Sequence, residues 1–75
     1  TVVDVRIIIK KALQKNACHL ILVHNHPSGN RYAGEADKIQ TNKLQKAAQM
    51  CDIKLVDHII VAGENYFSFA DEGLL

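Results

Sequence analysis

The sequence predicts an α/β domain, and three features carry that expectation. Two apolar runs, Cys18 to Asn25 and Ile53 to Ala62, read as strands. Between them, Glu35 to Met50 repeats apolar residues at helical spacing. After the second run, Gly63-Glu64-Asn65 marks a turn, and Tyr66 to Phe69 reads as a short strand returning antiparallel. With a helix expected ahead of the first strand, the chain should form a mixed sheet of about three strands with two main helices. Strand, helix and strand in that order suggest a βαβ unit with a right-handed crossover.

Each element has a local reason. The first helix should run from about residue 2 to 15, because Val2, Val5, Ile8, Ile9, Ala12 and Leu13 fall on one face. Thr1 followed by Asp4 fits a start resembling a capping box. Lys10, Lys11 and Lys15 sit toward the negative end of the helix dipole. Ile7 lies off the apolar face. Cys18 to Asn25 is apolar on both faces, as central parallel strands are. Pro27, Gly29 and Gly34 punctuate a loop from Asn25 to Gly34. The second helix should bury Ala36, Ile39, Leu44, Ala47, Ala48 and Cys51, with Gln40 and Lys43 interrupting that face. The strand from Ile53 to Ala62 has room for a bend near Asp57, and Ala70 to Leu75 reads as a terminal turn of helix.

Composition narrows the classes. Seventy-five residues make at most one small domain with a thin core. Nine Lys+Arg against eight Asp+Glu leave the charge nearly balanced, so nucleic acid is not an expected partner of this domain. No apolar stretch approaches the roughly 20 residues of a membrane span. Cys18 and Cys51 form no CxxC pair and lie in apolar segments. They read as buried thiols in a reducing compartment, hence the cytoplasm.

The chemistry concentrates in His24-Asn25-His26-Pro27-Ser28-Gly29. Residues two apart on a strand point the same way, so His24 and His26 can converge. Asp37 follows eleven positions after His26, in the first turn of the second helix. Histidine and carboxylate are preferred zinc ligands, and three protein ligands with a fourth position open to water describe a catalytic zinc site. In open α/β sheets, sites gather at the carboxyl ends of the strands, where these three residues are expected to meet. His58 beside Asp57 reads as a hydrogen-bonded structural histidine or a second-layer partner of the site, and His19 as an exposed strand-start residue. Tyr66, Phe67 and Phe69 read as core and edge packing.

His24-Asn25-His26-Pro27-Ser28-Gly29-Asn30, with Asp37 after it, resembles the JAMM (MPN+) metalloprotease motif in its bacterial RadC-like form. Leu55 to Val61 and Tyr66 to Phe69 through Gly73 resemble the end of that RadC-like JAB domain. The resemblance covers essentially the whole chain and fits the carboxyl-terminal part of the domain, whose opening strands would lie upstream. It implies a cytidine-deaminase-like α/β sandwich, here truncated. It also implies one Zn2+ per chain, held by His24, His26 and Asp37 with a water in the fourth position. In active members a glutamate from an upstream strand is the general base, and a serine before the aspartate helps bind the oxyanion.

Two departures follow. Gly34 stands where that serine is expected, and losing one oxyanion donor typically costs about 10²–10³ in rate. Ser28 or the Asn30 amide offers a substitute donor, and His58 offers a supporting partner. The base glutamate is expected upstream of Thr1, since Glu35, Glu64 and Glu72 lie outside the place the family uses. No catalytic residue is therefore assigned within this chain. The resemblance implies a zinc-dependent metallohydrolase, peptidase or isopeptidase-like, in a DNA-repair-associated protein. The alternatives are a catalytically silent zinc-binding module for protein contacts, and a DNA-repair accessory without hydrolase activity. The substrate is not legible. A sheet edge left without its partner strands is expected to favour a homodimer.

Overall fold

The computed structural model describes residues 4–75. Its elements are α1 (Val5–Gln14), β1 (His19–Asn25), α2 (Glu35–Met50), β2 (Lys54–Ala62) and β3 (Asn65–Ser68). The sheet order is β1-β2-β3, with β1 parallel to β2 and β3 antiparallel to it. This is the small α/β architecture that the sequence predicts. No helix among the described residues is long and apolar enough to cross a membrane.

The helix ends follow from local chemistry. Asp4 is the N-cap of α1, its carboxylate accepting from the Arg6 amide at 3.0 Å. Thr1 and Val2, expected in the cap and first turn, lie outside the described residues. Both helices then close in the same way. Asn16 (φ 54°) and Asp52 (φ 58°) take the left-handed conformation. The Ala17 amide bonds to the Ala12 carbonyl and the Ile53 amide to the Ala48 carbonyl, which is the Schellman pattern. No glycine announces either stop.

Both helices contribute to the apolar clusters that cover Leu20, Leu22 and Leu55. Leu44 and Ala48 are fully buried there, and truncating a side chain such as Leu44 to Ala typically costs about 2–5 kcal/mol. A third cluster, Ile60, Phe67 and Phe69, is packed by Ala33 of the loop ahead of α2 and by Leu75. Three packing expectations are corrected. Cys18 and Cys51 are exposed, because one precedes β1 and the other is the C-cap of α2. Leu13, Ala36 and Ile39 are exposed, and the buried face of α2 is Thr41, Leu44 and Ala48. Counting Thr41 as polar rotates the apparent stripe away from its true position. Among the described residues β1 is also an edge strand, with Ile21 and Val23 exposed on its outward face.

One irregularity positions the site. Leu20 pairs with Leu55 and Ile21 with Asp57, so Val56 is an extra residue in β2. Side chains alternate faces, so a one-residue bulge reverses every later side chain. Leu55 points inward before the bulge; His58, Ile60 and Ala62 are the buried residues after it. Were Val56 paired in regular alternation instead of bulged, Asp57 would occupy the inner face in place of His58. This bulge lies beside Asp57, where the sequence leaves room for a bend.

Candidate metal centre

His24 lies near the end of β1, on the same face as Leu20 and Leu22, with its side chain 17% exposed. His26 lies just beyond the strand, held by its amide bonding to the Val61 carbonyl at 2.8 Å. Its side chain is aimed by the loop that follows. The Gly29 amide closes a turn onto the His26 carbonyl at 3.1 Å, with Pro27 inside the turn and Gly29 at φ 84°. That turn brings the Asn30 carbonyl back to His26 Nδ1 at 2.8 Å. A carbonyl only accepts, so His26 carries a proton on Nδ1, and its neutral imidazole presents a bare lone pair on Nε2.

Asp37 arrives from the other side. It is the third residue of α2, and Oδ2 accepts from the amide of Gly34, the N-cap, at 3.0 Å. Its oxygens lie 3.4 Å from His24 Nε2 (Oδ1) and 3.4 Å from His26 Nε2 (Oδ2), and the two Nε2 atoms are 2.9 Å apart. Among the described residues this is the one group of three or more His, Cys, Asp or Glu side chains whose ligating atoms converge, all within 4.8 Å of one another. Two ligand atoms bonded to one tetrahedral zinc stand about 3.3 Å apart. The donor set therefore matches zinc in atom type and in spacing. Two imidazole nitrogens and a carboxylate crowded together need a cation or shared protons between them. No glutamate joins the group.

A third histidine stands behind the first. His58 is 1% exposed, stacked on Phe69 at 4.6 Å and 7°. Its Nε2 lies 2.6 Å from His24 Nδ1, and its Nδ1 lies 2.5 Å from Thr41 Oγ1. Burial, and after it the charge of His24, pushes the His58 imidazole down to about 4. Burial chiefly holds His24 below its ordinary value too, with Asp37 pulling the other way. Asp57, on the opposite face, is desolvated yet sits below the usual carboxylate range. Ser68 Oγ donates to it at 2.5 Å, and the Ala70 and His58 amides add two further bonds.

The structure thus brings His24, His26, Asp37 and His58 together. Ser28 and Asn30 stand outside that group, in bonds of their own loop: the Asn30 amide N–H reaches Ser28 Oγ at 3.4 Å, and Asn30 Oδ1 accepts from the Tyr32 amide at 3.1 Å. Asn30 serves His26 through its backbone. Thr41 is the residue that sequence reasoning missed. Its signal is its position four residues after Asp37, on the same face of α2.

A profile described as the RadC-like JAB domain matches residues 1–74. A UPF0758 protein of Pseudoalteromonas translucida is 53% identical over 70 residues, covering 93% of this chain and 31% of the relative. The UPF0758 protein YfjY of Escherichia coli K12 is 48% identical over 75 residues, covering all of this chain and 47% of the relative. A Flavobacterium johnsoniae UPF0758 protein is 46% identical over 74 residues, covering 99% of this chain and 32% of the relative. The chain spans about a third to a half of the length of these curated relatives.

Proposed function

We propose that this chain, which belongs to the RadC-like JAB domain family, is the metal-holding part of a zinc-dependent hydrolase acting on peptide or isopeptide bonds. One observation carries the proposal. The Nε2 atoms of His24 and His26, from the end of β1 and just beyond it, and the carboxylate of Asp37, from the first turn of α2, converge at 2.9–3.4 Å. When bound, zinc would polarise a substrate carbonyl and acidify a coordinated water toward a pKa of about 7.

The chain's own residues hold and orient. The Gly34 amide turns the Asp37 carboxylate toward the histidines. The Asn30 carbonyl holds the His26 proton on Nδ1. Three protein ligands leave one tetrahedral position for water or substrate, the pattern of catalytic rather than structural zinc. In this proposal the general base comes from outside these residues, since no glutamate among those described joins the group. The test is cleavage of peptide and isopeptide-linked substrates by a zinc-loaded, full-length protein carrying this chain. Cleavage abolished by His26→Ala supports the proposal, and cleavage unchanged by that substitution refutes it.

A second reading is favoured by Gly34, which supplies no hydroxyl where the family's serine is expected. In it, the centre binds zinc and supports protein contacts without hydrolysis. Zinc binding with no cleavage by the full-length protein would decide for it.

A further inference from the structure

We infer that His58 and Thr41 are positioning residues for the metal centre, forming a one-way hydrogen-bond relay that fixes which nitrogen His24 presents. The inference rests on the zinc reading above. Its starting point is Thr41, whose hydroxyl donates to the Asp37 backbone carbonyl four residues earlier, at 2.7 Å. A hydroxyl has one proton, so Thr41 Oγ1 must accept from His58 Nδ1 at 2.5 Å. A neutral imidazole protonated on Nδ1 can only accept at Nε2. His58 Nε2 therefore accepts from His24 Nδ1 at 2.6 Å. His24 Nε2 is then left as a lone pair, and it is this atom that faces His26 Nε2 and Asp37.

Every donor in the relay meets an acceptor, and each direction follows from the one before. The relay starts on the backbone of the residue whose carboxylate ends in the cluster, so α2, β2 and β1 are tied to one proton arrangement. His58 is also locked against rotation, stacked on Phe69 and fully buried. A histidine that ligates a metal commonly donates its other ring N–H to a fixed acceptor, and losing that acceptor typically weakens metal affinity about 10–100-fold. For His26 the acceptor is a loop carbonyl. For His24 it is another imidazole, which can accept only while Thr41 holds its proton on the far side.

The test measures zinc affinity by chelator competition on the chain, together with the His58 tautomer of the zinc-loaded chain by long-range proton–nitrogen NMR. His58→Phe keeps the stack on Phe69 and removes the acceptor; it should weaken zinc binding about 10–100-fold. His58→Gln, which can still accept toward His24 and donate toward Thr41, should keep most of the affinity. Thr41→Val should also weaken binding, and Thr41→Ser should restore it. In the wild type His58 should carry its proton on Nδ1, the form a free histidine disfavours, and Thr41→Val should lose that preference. If His58→Phe fails to fold, the Thr41 pair decides alone. Zinc bound equally by wild type, His58→Phe and Thr41→Val, but lost in His24→Ala, would overturn the relay and leave the metal reading standing. A wild type that takes up no zinc overturns both.

Discussion

The Asp37 carboxylate oxygen that lies 3.4 Å from His26 Nε2 also lies 3.0 Å from the Gly34 amide, so one atom both caps the start of α2 and joins the His24–His26–Asp37 cluster. The two roles separate by substitution. Asp37→Asn retains an oxygen for the Gly34 amide but removes the charge. It should melt within a few degrees of the wild type while zinc binding falls sharply. Asp37→Ala loses both, and should cost a further 0.5–1 kcal/mol or so of stability. Chemical denaturation and metal titration of the two variants check this. Equal zinc affinity in all three proteins would remove Asp37 from the site.

Gly34 is a site where the missing hydroxyl can be put back. Its backbone is extended, at φ −81° and ψ 172°, and an added Cβ would meet nothing closer than Asp37 Oδ2 at 3.8 Å. Serine is at home at an N-cap, so Gly34→Ser should fold and gain a few tenths of a kcal/mol. The 75-residue chain should show little or no peptidase activity with zinc bound, with or without this change. In the full-length protein, Gly34→Ser should raise any turnover, by at most about 10²–10³-fold if the hydroxyl serves as an oxyanion donor. A Gly34→Ser chain that fails to fold, or a wild-type chain that cleaves peptides by itself, contradicts this.

Much of this organisation was legible in sequence because its signals are local. The HxH spacing on an apolar strand, the Pro and Gly of the loop and an aspartate in a first helical turn each report their own geometry. The position of His58 was not local. Whether it faces His24 depends on the extra residue Val56, and neither strand run shows where the pairing slips. Thr41 was missed for a related reason: a threonine counts against a buried face until its tertiary partner is known. The helix stops at Asn16 and Asp52 lacked the glycine that usually reveals them.

Acid should unfold the metal-free chain through His58. Its folded value of about 4 lies below the ordinary 6.5, so between these pH values the unfolded chain binds the proton that the folded one refuses. Stability is then complete above about pH 6.5 and falls as pH drops toward 4, by at most about 3 kcal/mol from this group. Asp57 acts lower down: its folded value is depressed, so its contribution is lost as pH falls below the ordinary carboxylate value. Urea melts at pH 7, 5.5 and 4.5 should show the loss, and His58→Phe should flatten it. An unchanged slope in His58→Phe would mean that another group controls the acid limb.

Ile21 and Val23 are 60% and 58% exposed on a strand that, among the described residues, is paired on one side only. Such an edge invites pairing with another chain. The 75-residue chain is expected to self-associate, most simply as a two-fold dimer, or to be marginally stable alone. Sedimentation at several concentrations should show mass rising with concentration, and Ile21→Lys with Val23→Lys should suppress it. A cooperatively melting monomer at every concentration would exclude this expectation.

The most direct test of the central claim is zinc stoichiometry. The purified chain, equilibrated with zinc at neutral pH and freed of excess, should hold about one zinc per chain by elemental analysis. The double variant His24→Ala, His26→Ala should hold essentially none while keeping its helices and sheet. Zinc retained equally by wild type and variant, or taken up by neither, would contradict the account of His24, His26 and Asp37 as a metal centre.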